Sequence, residues 1–364
     1  MYRRCLPSSR RYSTTKVSVA FRMWWRALLL VIVTVLLVGS TEGDTLQVGQ
    51  SMDLMSRYGY LGITMKVVGR NESDAGWIFR EPTYDVFANL EPLTVHETRS
   101  AKKNTFDGEF HMEFCDNLVQ LMQAYFREFS FEGLDKPWLA FTNGWNSPEV
   151  IARNMGINSS FVHKDYCYVL VRLSRFWDTV KLARIPNNVN LLDSMAQEIN
   201  NIYVDNVTSV LMFTKRVGTH YINSFVTGNS LYQVFVYRKP VYLRIRERLK
   251  TRGISNLSPV ELSNFFSPWY ADHMGQIKVA SGNKTVQNWA AQKLAVHYYI
   301  FTYPSLLKIH GDPKLLSELN GMLQNEALLQ LELKRLTPVF KDPVKREWFN
   351  EILSNYLNLL EVNS

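Results

Sequence analysis

The sequence predicts an α+β domain that follows a secretory signal. Strand-like and helix-like segments alternate in no repeating order, and no linker rich in glycine, proline or serine separates them. Of the 364 residues, 46% are hydrophobic and 13% are aromatic, which is sufficient for a large buried core. We therefore expect residues 44–364 to form one domain.

Residues 1–43 have the pattern of a signal peptide. Basic residues precede a 12-residue apolar run at 27–38, and small residues follow it. The run is shorter than the roughly 20 residues that a membrane-spanning helix needs. We predict cleavage between about residues 38 and 44, with Met23 as a second candidate start. An uncleaved signal anchor is the other interpretation.

The positive charge is concentrated in this leader. The formal net charge is +8, and residues 1–43 hold seven basic residues against Glu42 alone, a net of +6. Residues 44–364 therefore carry only +2. A nearly neutral body lacks the broad basic surface of a nucleic-acid-binding protein, so we predict no nucleic-acid partner.

The cysteines and the glycosylation motifs agree with secretion. Cys5 precedes the apolar run, which leaves Cys115 and Cys167 as an even pair in an oxidising compartment. We predict a disulfide between them, with two free buried thiols as the alternative. Five N-x-[S/T] motifs predict a glycoprotein: Asn71, Asn158, Asn206, Asn256 and Asn283.

Runs rich in β-branched and aromatic residues predict the strands. They lie at 59–69, 136–144, 161–176, 219–228, 230–237 and 275–282. The two adjoining runs meet at Gly228, which we expect to mark a bend or bulge that calls for positive φ.

Apolar spacings of three and four residues predict the helices. They lie at 111–129, 147–156, 190–203, 285–296, 315–336 and 342–361, with 240–276 helical but interrupted by Pro259 and Pro268. Ser147 is the predicted N-cap of one helix, and Asp342 that of the last. We expect this last helix to bury a stripe formed by Trp348, Ile352, Tyr356 and Leu359.

Catalytic and metal-binding motifs are absent from the sequence. None of the seven histidines is close enough to another for a local chelate, and there is no H-E-x-x-H, C-x-x-C or G-x-S-x-G motif. Paired carboxylates stay open as an option, but no acidic residue is singled out. We predict no catalytic residue, no metal and no cofactor. His220 is expected to be a buried, hydrogen-bonded structural residue.

The run Gly218-Thr219-His220-Tyr221, followed by Gly228, resembles the signature of the MACPF (membrane attack complex/perforin) family. Val210 and Val217 stand where that family has aromatic residues, and Asn229 replaces a second glycine. Three flanking stretches also resemble the family. They are 189–213, read as a helix and then a strand, 278–294, and the closing helix at 336–357.

The resemblance implies a bent antiparallel sheet of about four strands with two flanking helical clusters. We place these clusters at roughly 143–160 and 240–276. In pore-forming members of the family, both clusters unfurl into amphipathic β-hairpins that cross a bilayer. Other members are secreted developmental signalling factors, and this chain is most similar to one that acts upstream of a receptor tyrosine kinase.

Residues 241–252 separate these two functions. Read as a strand, they place five basic residues on one face, but Glu247 then falls on the apolar face. The basic residues are Arg244, Arg246, Arg248, Lys250 and Arg252. Read as a helix, they place Val241, Ile245 and Leu249 on one stripe and leave the charges solvated, and we favour the helix.

Prolines interrupt the rest of both clusters, at Pro148 in the first and at Pro259 and Pro268 in the second. We therefore predict a secreted, non-enzymatic signalling factor that binds extracellular proteins or matrix. The alternative is a membrane-inserting pore-former of the perforin type. The basic residues are accordingly a binding surface or a membrane-facing one.

Overall fold

The chain is organised around a mostly antiparallel sheet that helices cover on both faces. The computed structural model describes residues 46–363 apart from 57, 60, 62–83, 89, 91, 97–107, 183–189, 254–256 and 299. The strands of the described part are β1 (Ser51–Met52), β2 (Phe87–Ala88), β3 (Pro92–His96), β4 (Glu109–Cys115), β5 (Phe129–Phe131), β6 (Tyr166–Leu182), β7 (Asn190–Leu191), β8 (His220–Arg238), β9 (His273–Met274), β10 (Lys278–Val279), β11 (Ala295–Tyr298), β12 (Phe301–Pro304) and β13 (Ala327–Arg335). The helices are α1 (Leu118–Tyr125), α2 (Leu139–Thr142), α3 (Pro148–Met155), α4 (Asp193–Asn200), α5 (Val207–Val217), α6 (Lys239–Arg252), α7 (Pro259–Phe265), α8 (Lys284–Lys293), α9 (Pro313–Met322) and α10 (Pro343–Val362).

Four strand positions form the main sheet. The long strands β6 and β8 pair antiparallel along almost their whole length, and β13 pairs antiparallel with the other edge of β8. On the far side, β4 pairs with the first half of β6 and β3 with the second half. The short β5 extends the sheet beyond β13 as a parallel neighbour.

A β-bulge bends the two long strands at the same level. The register of β6 shifts between Phe176 and Asp178, where Gly228 of β8 lies opposite. A bulge adds one residue to one strand and increases its local bend and twist. The predicted bend at Gly228 therefore coincides with an irregular point of the sheet.

The two faces of the sheet carry separate hydrophobic layers because successive side chains of a strand point to opposite faces. On β6, Tyr168 and Leu170 pack into the layer formed with α1 to α5 and α10. Val169 and Val171 pack into the layer formed with α6 to α9. The predicted α+β class, with a bent antiparallel sheet and flanking helices, is confirmed.

Helical clusters connect the strands at two places, and both are longer than predicted. The first lies between β4 and β6 at 116–165, and the second lies between β8 and β13 at 239–326. The second cluster also contains the short hairpin of β11 and β12. The first cluster is thus about 50 residues long, where the sequence predicted 143–160, and Pro148 begins helix α3 within it.

Several predicted elements are confirmed. The helix at 147–156 begins after Ser147, whose side chain accepts from Val150 N, and it ends at Gly156 with φ of 72°. The helices within 190–203, 240–276, 285–296 and 342–361 also form. The runs at 219–228 and 230–237 form one continuous strand, β8. The strand predicted at 59–69 lies almost wholly outside the described residues.

Other predicted elements are wrong or misplaced. Residues 111–129 begin as strand β4, and 315–336 end as strand β13, because pairing with the sheet overrides helical spacing in both places. Residues 136–144 contain the short helix α2, and 207–213 belong to helix α5; both ranges were predicted as strands. The strand predicted at 161–176 instead runs from Tyr166 to Leu182. Only Lys278–Val279 of the run at 275–282 is a strand.

The closing helix buries a different stripe from the predicted one. Phe349, Ile352, Leu353 and Leu357 are buried. Leu359 is 56% exposed and Trp348 is half-buried. The helix is therefore rotated relative to the predicted face, and Ile352 alone is common to both stripes as a buried residue.

The predicted disulfide is absent because the two cysteines lie on opposite faces of the sheet. Both are free and buried. Cys115 of β4 pairs with Tyr168, so these two side chains share one face, whereas Cys167 precedes Tyr168 and points to the other. Burial raises the pKa of the Cys115 thiol to about 12, which keeps it protonated.

Candidate functional site

The signature residues lie at the start of β8 and join four segments of the chain. Thr219 and His220 are fully buried, and Tyr221 is nearly so. β1 pairs with this start, with Met52 opposite His220. On the other side, Arg335 of β13 lies opposite His220. The signature is therefore a junction between distant parts of the chain.

Gly218 is required by conformation and by space. It ends helix α5 with φ of 108°, a region that side-chain-bearing residues rarely adopt. A Cβ atom at this position would lie 2.6 Å from the carbonyl carbon of Met52. The glycine thus lets the N-terminal strand approach the end of α5 closely.

Thr219 connects this strand to the histidine. Its backbone nitrogen donates to Met52 O at 2.8 Å, and its hydroxyl oxygen accepts from Leu54 N at 3.0 Å. The same hydroxyl lies 2.8 Å from His220 Nδ1. Because His220 Nε2 lies 2.9 Å from the carbonyl oxygen of Glu132, Nε2 must carry the proton that it donates. We therefore assign Nδ1 as the acceptor of the Thr219 hydroxyl proton.

The histidine is neutral in this environment. The pKa of His220 is lowered to about 4, chiefly by burial and also by the nearby charge of Arg335, while the hydrogen bond to the Glu132 carbonyl acts in the opposite direction. The predicted burial and hydrogen bonding of His220 are confirmed. Sequence reasoning missed its partner Glu132, because a backbone carbonyl leaves no signal in the residue pattern.

Tyr221 completes the junction through its ring. It meets Phe87 edge-to-face, with ring centroids 5.6 Å apart. Ser51 lies opposite Tyr221 in the sheet, and its hydroxyl donates to the carbonyl oxygen of Val217. Strand β1 is therefore hydrogen-bonded to the residues on either side of Gly218, namely Val217 and Thr219.

Gly228 is required by space and not by positive φ, which corrects the predicted reason. Its φ lies outside the left-handed region. A Cβ atom there would overlap the carbonyl oxygen of Arg175 on β6. The bend therefore needs a glycine because two backbones approach each other closely at the bulge.

Asn229, which replaces the second glycine of the family signature, anchors a buried polar network. Its amide nitrogen donates to Ser281 Oγ at 2.9 Å and to the Glu326 carboxylate at 3.3 Å. Its amide oxygen accepts from Ser230 N and Ser281 N. Asn283 donates to the same carboxylate at 3.0 Å. The network ties the bend to the second helical cluster and to the residue before β13.

The predicted basic residues lie on helix α6, as the favoured interpretation had it. Tyr242, Ile245 and Leu249 are its buried residues, so Tyr242 takes the place predicted for Val241. Arg244, Arg248 and Lys250 are exposed. The side chain of Arg252 lies outside the described part.

Arg246 departs from the predicted solvated state. It is only 30% exposed, and its Nη1 lies 2.6 Å from Asp116 Oδ1. Its guanidinium also lies over the ring of Tyr242, 5.3 Å from the centroid. Arg246 therefore joins the second cluster to Asp116 at the start of the first cluster, and it belongs to the fold more than to the surface.

Three of the five glycosylation motifs fall on described residues. Asn158 and Asn206 are exposed, and each uses its amide oxygen to accept from a backbone nitrogen two or three residues later. Asn283 is half-buried, and its amide nitrogen donates to Glu326. Asn71 and Asn256 lie outside the described residues.

The described residues hold no group of three or more histidine, cysteine or acidic side chains placed to bind a metal ion. Within the same ranges, no helix combines the length and apolar character needed to cross a membrane. A cavity of about 620 Å³ lies beside the N-terminal segment. It is lined by residues such as Val48, Phe87 and Phe225.

Among known proteins, the chain is similar to solved structures but matches no sequence family. No protein-family model and no curated protein matches the sequence. GNIP1Aa from Chromobacterium piscinae is similar at 12% identity and a TM-score of 0.47, over 86% of this chain and 57% of its own. A MAC/Perforin-domain protein from Bacteroides thetaiotaomicron is similar at 10% identity and a TM-score of 0.40, over 86% and 61%.

Astrotactin-2, a perforin-like membrane protein involved in neuronal development, is similar at 13% identity and a TM-score of 0.33. That match covers 84% of this chain and 99% of its own. The present chain spans about three fifths of the length of the two bacterial proteins.

Proposed function

We propose that this chain is a MACPF-domain protein that is secreted and acts as a non-enzymatic extracellular signalling factor. Its sheet has the four antiparallel strand positions and the two inserted helical clusters that the family resemblance implies. The signature residues at 218–221 lie at the start of the third of these positions. Sequence motif and topology therefore support the same assignment.

The neutral, buried His220 is the observation that carries the non-enzymatic part of the proposal. Both ring nitrogens are engaged by Thr219 and Glu132, and the ring has no contact with solvent. A general base or a nucleophile activator must reach a substrate. We therefore assign His220 a structural role, and we place the function of the protein in its surface residues.

The particular role rests on resemblance. The sequence of residues 218–237 resembles that of insect Torso-like. That protein acts outside the cell, upstream of the Torso receptor tyrosine kinase, in terminal patterning of the embryo. By this analogy the partners of the present chain are extracellular proteins or matrix, including a ligand or receptor of that pathway. The predicted signal peptide and the glycosylation motifs are consistent with that compartment.

A membrane-inserting pore-former is the alternative that an experiment must separate from this role. Purified secreted protein is added to cells that express Torso and its ligand, and in parallel to dye-loaded vesicles inspected by electron microscopy. We expect increased tyrosine phosphorylation of the receptor, with neither dye release nor rings. Dye release with ring-shaped particles would establish the alternative. Neither phosphorylation nor leakage would refute the signalling role.

A further inference from the structure

The positive charge of residues 44–364 is concentrated on one helix. Arg238 and helix α6 together contain seven basic residues and one acidic residue, Glu247, a net charge of +6. Because residues 44–364 carry +2 in total, the remainder of this stretch carries −4. The helix is therefore a local basic patch on an otherwise acidic body.

Intramolecular ion pairs use only part of this charge. Arg238 lies 3.3 Å from Asp272, and Arg246 lies 2.6 Å from Asp116. Among the described residues, no salt bridge is formed by Lys239, Arg244, Arg248 or Lys250, and all four are exposed. Four cations thus face solvent without a compensating carboxylate in the described part.

The helix presents these cations from a fixed platform. Tyr242, Ile245 and Leu249 bury its inner side, so the outer side cannot rotate away. Arg244 and Arg248 are four residues apart, which places them about 6 Å apart along the helix axis on the same side. Two guanidinium groups in a row match successive anionic groups along an extended chain.

We propose that the outer side of α6 binds a sulphated polysaccharide of the extracellular matrix, an inference that rests on the proposed extracellular function. The charge fits a linear polyanion, for which clusters of arginine and lysine are the usual protein counterpart. An anionic membrane fits less well because a helix that lies in a bilayer needs an exposed apolar side. Here the apolar side of α6 is buried against the protein. Among its outward residues, Leu243 is 40% exposed, and the outward side also carries the charged Glu247, so no continuous apolar side faces solvent.

The test measures binding of the purified full-length secreted protein to heparin in 0.15 M NaCl. The triple variant Arg244→Gln, Arg248→Gln, Lys250→Gln removes three of the four unpaired cations and leaves Lys239 and Arg246 in place. A matched control, Arg153→Gln, Lys164→Gln, Lys341→Gln, removes three exposed cations elsewhere. We expect the helix variant to bind heparin at least about tenfold more weakly, with a shallower salt dependence, and the control to bind like the wild type.

Two further probes identify the anion. Chemically desulphated heparin should bind poorly, and vesicles containing 30% phosphatidylserine should not retain the protein. Binding to those vesicles but not to heparin would overturn the proposal in favour of a lipid surface. Equal loss in both triple variants, or no heparin binding by the wild type, would also overturn it. Because receptor phosphorylation is measured separately, either proposal can fail without the other.

Discussion

His220 Nε2 donates a hydrogen bond to the carbonyl oxygen of Glu132 at 2.9 Å, across 88 residues of sequence. The bond closes the junction in which β1, β8 and the end of β13 meet around a neutral imidazole. His220 and Thr219 are fully buried, so a change at His220 leaves the Thr219 hydroxyl without its partner at a place that water does not reach.

Replacing the imidazole tests this junction directly. His220→Ala leaves the Glu132 carbonyl and the Thr219 hydroxyl without their partner, and we expect a loss of about 1–3 kcal/mol in the free energy of unfolding. Secretion yield and the melting temperature should both fall. The control is His297→Ala, which removes an exposed histidine. An inactive His220→Ala protein with normal yield and melting would instead assign the histidine a direct functional role.

Acidification should weaken the fold through the same residue. The folded-state pKa of His220 is lowered to about 4 from its usual 6.5, so between these values the unfolded chain binds a proton that the native chain does not. The contribution of neutral His220 is complete above about pH 6.5 and declines as pH falls toward 4. From pH 7 to pH 5 we expect it to decrease by roughly 2 kcal/mol.

Urea unfolding at both pH values, for the wild type and His220→Gln, isolates this effect. Glutamine keeps an amide donor but does not titrate. The His220→Gln protein should therefore lose roughly 2 kcal/mol less stability than the wild type between pH 7 and pH 5. Equal losses in the two proteins would show that other groups account for the acid sensitivity.

The bend should tolerate no side chain at Gly228. Gly228→Val places a branched Cβ against the carbonyl oxygen of Arg175, and we expect destabilisation of at least about 2 kcal/mol, measured by thermal melting. Gly321→Ala is the matched control, since a Cβ in that helix meets nothing within 4 Å. The control should be neutral or slightly stabilising. A Gly228→Ala protein as stable as the control would contradict the close approach.

Two arginines two residues apart should behave differently. Arg246→Gln loses the ion pair with Asp116 and the contact with Tyr242, and because Arg246 is partly exposed we expect a cost of only about 0.5–1 kcal/mol. Arg248→Gln should leave melting unchanged. A double-mutant cycle with Asp116→Asn should recover a coupling energy for Arg246 and none for Arg248. Identical melting of both single variants would exclude the pair.

Glycan occupancy should follow the use of each amide nitrogen. Asn158 and Asn206 are exposed, whereas the amide nitrogen of Asn283 donates to Glu326. We expect glycans at the first two and an unmodified Asn283, because a glycan there would disrupt the network at the bend. Glycopeptide mass spectrometry of secreted protein decides this, with Asn206→Gln as a mobility control. Full occupancy of Asn283 would show that this network is dispensable.

Local residue patterns determined the features that depend on neighbours in sequence. The caps at Ser147 and Asp342, the long strand through Gly228 and the helical state of residues 241–252 follow from spacing, proline and capping chemistry alone. The buried state of His220 also followed, because a ring with two polar atoms in an apolar strand needs partners.

Pairing between distant segments decided what local patterns could not. Residues 327–335 and 109–115 are strands because β8 and β6 offer them backbone partners, although their spacing also fits a helix. The sequence predicted a disulfide between the two cysteines, but the strand register places them on opposite faces of the sheet. The partner of His220 is a backbone carbonyl, and the reason for Gly228 is the carbonyl of Arg175. Every residue type carries such a carbonyl, so only the tertiary structure could identify which one lies there.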